Sequence, residues 1–201
     1  MPPTNELVAV GAPATLRDGS RVRLRQGHHT DRGLLLRGFE RLSTEGRYRR
    51  FLAATPALTE DMVTYLTEID HHHHEAIVAV EEESGEGIGV ARYVRNPTHP
   101  ETAEVAVTVI DEWQGRGLGT LLLEVLGERA RAEGIQSFTA MMLASNQQMM
   151  DVLEGLGPVH VIERDSGTVE VETPIPDRGL APALRKLLQI AAGDREGPPP
   201  A

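Results

Sequence analysis

The chain has 201 residues, 30 Asp+Glu against 20 Lys+Arg, a formal charge of −10 and no cysteine. That balance argues against a general nucleic-acid binder, which carries a basic footprint, and favours cationic partners such as amines. The missing cysteine excludes a disulfide scaffold, thiolate metal ligands and a cysteine nucleophile.

Taken in order, residues 1–18 have no sustained period and read as a flexible N-terminal arm. Residues 21–25 alternate as a strand with Val22 and Leu24 on one face. Thr30 or Asp31 is placed to cap a helix carrying Leu34, Leu35, Phe39 and Leu42. Thr59 opens a second helix with Met62, Val63, Leu66 and Ile69 on one side. Four consecutive histidines, His71 to His74, invite a metal, but residues entering a strand alternate faces, so they read as a polar loop. No metal is expected. Residues 75–82 and 88–94 pair as an antiparallel hairpin, and a turn at residues 96–100 leads to a strand over 102–110. A helix from Leu118, a strand over 136–143, a helix opened by Asn146 and a terminal hairpin over 159–173 complete a mixed α/β sheet. Beyond Pro176, Leu180, Leu184, Leu187, Leu188 and Ala191 form an amphipathic stripe, followed by a Pro/Gly-rich tail. The division expected is therefore an arm (1–18), a main domain (19–176) and a helix with a disordered tail (177–201). No run approaches the roughly 20 apolar residues of a membrane span. No signal-peptide pattern opens the sequence, so cytoplasmic location and no membrane partner are expected.

The stretch that organises the chain runs from Glu104 to Arg131. An apolar strand enters a turn with Gly115, Gly117 and Gly119 at alternate positions, and a long helix follows. Free backbone N–H groups and the helix dipole converge there, which makes an anion site. A P-loop requires Gly-Lys-Ser/Thr, and the only lysine is the distant Lys186. A dinucleotide fingerprint needs a third glycine where Thr120 stands.

What remains is Gln114-Gly115-Arg116-Gly117-Leu118-Gly119, a Q-x-x-G-x-G pattern that resembles the acetyl-CoA pyrophosphate loop of the GNAT superfamily of N-acyltransferases. Residues 42–51, Leu-Ser-Thr-Glu-Gly-Arg-Tyr-Arg-Arg-Phe, resemble a motif of the GNAT domain in bacterial protein lysine acetyltransferases, with Gly46 where serine is usual. The resemblance covers about residues 20–175. It implies a central, mostly antiparallel sheet with one parallel strand pair bridged by the CoA-binding helix. It also implies acetyl-CoA as cosubstrate and an amine acceptor, most readily a protein lysine. Residues 42–51 would then border the acceptor site or serve packing alone. In such folds the strand before the loop parts from its parallel neighbour, and backbone groups of Val107, Thr108 and Val109 would hold pantetheine. Backbone groups of Gln114, Gly115, Arg116, Gly117, Leu118, Gly119 and Thr120 would hold the pyrophosphate, with the Thr120 hydroxyl adding a hydrogen bond, and Asn146, otherwise a plain helix cap, would lie near the CoA arm. Glu104 matches the position of a catalytic glutamate, and an apolar setting beside Val105 and Val107 is expected to raise its pKa. The tyrosine that many members use as general acid has no counterpart, since Leu153 stands at its position; Tyr48 and Tyr93 are the alternatives. Transfer to a small amine and a non-catalytic acyl-CoA-binding role stay open, as does monomer or homodimer.

Overall fold

The computed structural model describes residues 12–176, so the C-terminal stripe lies outside the described residues. Strand β1 (Ala12–Thr15), within the stretch expected to be a loose arm, pairs antiparallel with β2 (Arg21–Gln26), the strand expected over 21–25. The cause is a hairpin signal at Asp18-Gly19. Gly19 adopts φ +87°, Asp18 Oδ1 accepts the Ser20 N–H at 3.0 Å and Leu16 N–H donates to Ser20 O at 2.9 Å. The turn folds Ala14 and Leu16 into the core.

A short 3-10 turn leads into α1 (Arg32–Glu40), followed by α2 (Thr44–Phe51) and α3 (Glu60–Thr67). Ser43 and Thr59 cap the last two through their side chains. Asp31 stands at the N-cap of α1, as expected of Thr30 or Asp31, but makes no side-chain cap bond; His28 caps the preceding 3-10 turn, its side chain accepting the Thr30 N–H. The Asp31 carboxylate is held instead by the Arg25 guanidinium at 2.6 and 2.7 Å and by the His28 N–H at 2.8 Å.

Strands β3 (His74–Glu81), β4 (Gly87–Arg95) and β5 (Thr102–Val109) form an antiparallel meander. Helix α4 (Leu118–Ala132) then crosses to β6 (Ser137–Leu143), which runs parallel to β5. After α5 (Gln147–Leu156) come β7 (His160–Asp165) and β8 (Thr168–Pro174), joined by Ser166-Gly167 with both residues at positive φ. The eight strands form one sheet in the order β1-β2-β3-β4-β5-β6-β8-β7. This is the expected mixed sheet, with β5 and β6 as its parallel pair.

Alternation along the strands sorts two faces. A Cβ at Gly89 would meet Leu118 and Leu122 of α4, so Gly89, Ala91 and Tyr93 face that helix. Val90 and Arg92 face the other way, toward α1 and α3. On the α4 side the core is aliphatic, with Leu122, Leu123 and Leu126 fully buried. Gly127 lies against Ile175, Leu156 and Phe138 at ordinary contact distances.

A buried polar knot fastens the end of α4 to the sheet. Glu75 is fully buried; its carboxylate accepts from Arg129 Nε (3.0 Å) and Gln26 Nε2 (2.9 Å), and His71 Nδ1 lies 2.8 Å away. Removing one partner of such a pair strands a charge in the interior, so Arg129→Ala should destabilise the fold by about 3 kcal/mol in urea denaturation. A loss under about 1 kcal/mol, the range of exposed pairs, would contradict this role. The histidine run forms a turn around Asp70, whose Oδ1 accepts the N–H groups of His72, His73 and His74. Burial raises the Asp70 pKa, but those three donors outweigh it and hold the carboxyl below its usual range. The rings of His71, His72 and His73 each meet a different carboxylate, Glu75, Glu133 and Asp70.

Candidate active site

The site begins where two parallel strands separate. Pairing of β5 with β6 ends at Glu104 with Thr139, whereas pairing of β5 with β4 runs on to Val109 with Gly89. Ile110 N–H donates to Ile88 O at 3.1 Å, and Thr108 O lies against Gly89. By alternation the backbone groups of Val107 and Val109 therefore point into the gap. Thr108 has its backbone turned to β4, which leaves its side chain for the site. Gln114 closes the far end, its Nε2 donating to Val109 O at 3.0 Å.

The glycine turn follows. Gly115 (φ +73°) and Gly117 (φ +87°) adopt left-handed conformations that disfavour any Cβ. Gly117 is the N-cap of α4 and offers no side-chain cap. The first N–H groups of α4, on Leu118, Gly119 and Thr120, are thus available to an anion.

One channel of about 360 Å³ gathers Val107, Thr108, Val109, Gln114, Gly115, Gly117, Leu118, Gly119, Thr120 and Asn146. Among the residues assigned to the cofactor, Arg116 alone is turned elsewhere. Its guanidinium donates to Asp18 Oδ2 (2.9 Å), Ser20 Oγ (3.1 Å) and Glu112 O (2.7 Å), and lies 4.7 Å over the Trp113 ring. It pins the first hairpin to the turn. Arg17, on that hairpin, lines the channel instead, its Nε 3.6 Å from where a Gly117 Cβ would sit. The Asp18-Gly19 dipeptide that follows Arg17 was the available signal. Arg49 and Arg50 of α2 also line the channel, and Arg49 Nη1 donates to Gln148 Oε1 at 2.8 Å, linking α2 to α5. Asn146 Oδ1 caps α5 through the Met149 N–H at 3.2 Å. Backbone donors at a helix start and three arginines against one carboxylate, Asp151, suit a diphosphate carrying an uncharged arm.

Glu104 sits at the point where β5 and β6 part, outside the channel lining. It is exposed. The apolar setting expected from Val105 and Val107 is absent because those side chains alternate to the α4 face. Glu104 shares its own face with Arg92 and Thr108 and lies within electrostatic reach of Arg50. Leu153, at the usual tyrosine position, is fully buried in the core. Tyr93 is no substitute: its hydroxyl meets His72 O at 3.4 Å, and burial pushes its pKa up. Tyr48 is exposed on α2 and lines no part of the channel.

The segment at residues 42–51 divides in two. Arg47 is structural: its guanidinium donates to Leu42 O, Pro56 O and Glu40 O and lies 4.4 Å over the Phe39 ring. Arg50 reaches the channel. A Cβ at Gly46 would come within 3.2 Å of Asp111 Oδ1.

Comparison with known proteins agrees with this geometry. Residues 42–157 match the model of the acetyltransferase (GNAT) family, over half of the chain. The chain is 36% identical over 176 residues to Acetyltransferase Pat of Mycolicibacterium smegmatis, covering 88% of this chain and 52% of that protein. It thus spans about half the length of that relative. Acetyltransferase PA5475 of Pseudomonas aeruginosa is 31% identical over 156 residues, 77% of this chain and 83% of that protein. The crystal structure of the GNAT domain of S. lividans PAT superposes with a TM-score of 0.75 at 31% identity, covering 82% of this chain and 97% of that one. The parted strands, the uncapped glycine turn and these matches together make the chain a member of the GNAT acetyltransferase family.

Proposed function

We propose that the protein moves an acetyl group from acetyl-CoA to a lysine side chain of another protein by direct attack on the thioester, with Glu104 as general base. The observation that carries this reading is the gap between β5 and β6 closed by the uncapped turn at Gly117. Leu118, Gly119 and Thr120 would offer their N–H groups to the pyrophosphate, supported by Arg17. The backbone of Val107 and Val109 would align the pantetheine arm. When bound, acetyl-CoA supplies the thioester carbonyl as the acyl donor. The acceptor amine must be neutral to attack, and Glu104 takes its proton directly or through one water. Thiolate is a fair leaving group, which suits a site with Leu153 in place of a tyrosine. The resemblance of residues 42–51 to the motif of bacterial protein lysine acetyltransferases supports lysine over a small amine.

The test is acceptor screening by thiol release, for which a chain without cysteine has no background of its own. Lysine peptides should give acetyl-CoA-dependent release and acetylated Nε, and polyamines or free amino acids little. Release with small amines alone would replace the acceptor. Tight acetyl-CoA binding with no release on any acceptor would indicate a binding module.

The arginines provide a second check. Arg17→Ala should weaken coenzyme A binding about fivefold, one charge-assisted contact at the channel mouth. Arg116→Ala should change it by less than about twofold, since that guanidinium is committed to an exposed pair with Asp18. The reverse ranking in calorimetric titrations would return Arg116 to the site.

A further inference from the structure

A second cavity of about 110 Å³ lies between α1–α3 and the sheet face opposite α4. Its walls are mostly aliphatic and aromatic, with Leu34, Phe39, Leu58, Ile69 and Val78 among them. Two guanidinium groups line it. Arg92 is only 6% exposed, and its Nη2 donates to Leu66 O at 2.7 Å while its Nη1 has no partner among the described residues. Buried charges are ordinarily paired, and one left unpaired is costly. Arg50, half-buried, lines the same cavity and forms no hydrogen bond to the described residues. Desolvation, reinforced by the nearby Arg50 charge, brings the Arg92 pKa down to about 9.

Among the described residues no carboxylate answers this pair. Glu104 acts on Arg50 through space and is exposed to solvent. Asp31, which lines the cavity too, is already held by Arg25 and the His28 N–H. A water at Arg92 Nη1 would find few polar partners among such walls, where buried waters typically make about three hydrogen bonds.

We infer that this cavity binds a carboxylate on a short apolar body, the anionic group seated between Arg92 and Arg50 and the body against the aliphatic walls. The planar guanidinium offers the fork that a carboxylate fits. Leu42, Arg50 and Thr108 line both this cavity and the cofactor channel. The carboxylate is therefore carried by the acceptor, an attribution that rests on the acetyl-transfer reading; the binding site itself does not.

The experiment is calorimetric titration of isovalerate, a branched apolar carboxylate, into the full chain and into Arg92→Met and Arg50→Met. Saturable binding is expected, weakened at least about tenfold by either substitution, as loss of a charge-assisted pair implies. Arg92→Met should also raise the thermal midpoint without ligand, because methionine removes an uncompensated buried charge at similar volume. No saturable binding of isovalerate overturns the proposal. So does unchanged affinity in Arg92→Met together with a lowered midpoint, which would make Arg92 a structural tie to Leu66 O. If Arg92→Met does not fold, unchanged affinity in Arg50→Met overturns it equally. Two acceptor arms locate the carboxylate. Preference for a lysine peptide with a neighbouring glutamate over its glutamine counterpart puts it on a protein, and acetylation of L-leucine puts it on a small molecule. Acetyl-CoA titrated into the same samples separates the failures: acetyl-CoA binding without isovalerate binding removes this site alone, and the converse removes acetyl transfer alone.

Discussion

Glu104→Gln lowers kcat about 10²-fold while the Kd for acetyl-CoA stays within about twofold, on the reading that the carboxylate acts only as a base. Glutamine keeps the shape and the strand position but cannot take a proton. Cofactor affinity is insulated because Glu104 stands outside the channel lining. The deficit should be largest at low pH. An acceptor lysine with a pKa near 10.4 is then almost wholly protonated, and the need for a base eases as pH rises toward that value. Steady-state thiol release across pH and calorimetry on the same samples check both halves. Equal kcat in the two proteins at every pH would remove Glu104 from the chemistry.

Gly117→Val has the second large effect, this time on binding. At φ +87° a β-branched residue is strained by about 1–3 kcal/mol. Its Cβ would also project toward Arg17, where the backbone needs room to approach an anion. Acetyl-CoA affinity should fall about 10²-fold, or about 2.7 kcal/mol, with a modest drop in thermal midpoint. Gly119→Ala is the internal comparison. Gly119 is helical, and an added Cβ would meet Val152, Val107 and Val109 at 3.4 Å or more, ordinary contact. It should therefore fold normally and cost less affinity. Equal losses at both positions would mean that bulk in the channel matters, and left-handed backbone does not.

The strand–turn–helix–strand unit from β5 to β6 was legible because its signals are local: apolar alternation, three closely spaced glycines, then a helical stripe. The same locality hid where the arginine side chains go. Arg116 lies inside the glycine turn, yet its side-chain partners Asp18 and Ser20 belong to a hairpin nearly 100 residues earlier. Arg17 was missed with that hairpin, although Asp18-Gly19 carries a recognised turn signal. The environment of Glu104 was not legible, since Val105 and Val107 are neighbours in sequence and lie on the other face in space. The pairing of Arg50 with Arg92 has no sequence signature. One residue comes from α2 and the other from β4, and only the sheet brings them to one cavity.

The most direct test of the central claim is a calorimetric titration of acetyl-CoA into the unmodified chain. Saturable binding at one site per chain, competed by coenzyme A and weakened by Gly117→Val, is expected. Absence of acetyl-CoA binding to the folded, unmodified protein would contradict the assignment of the channel between β5 and β6.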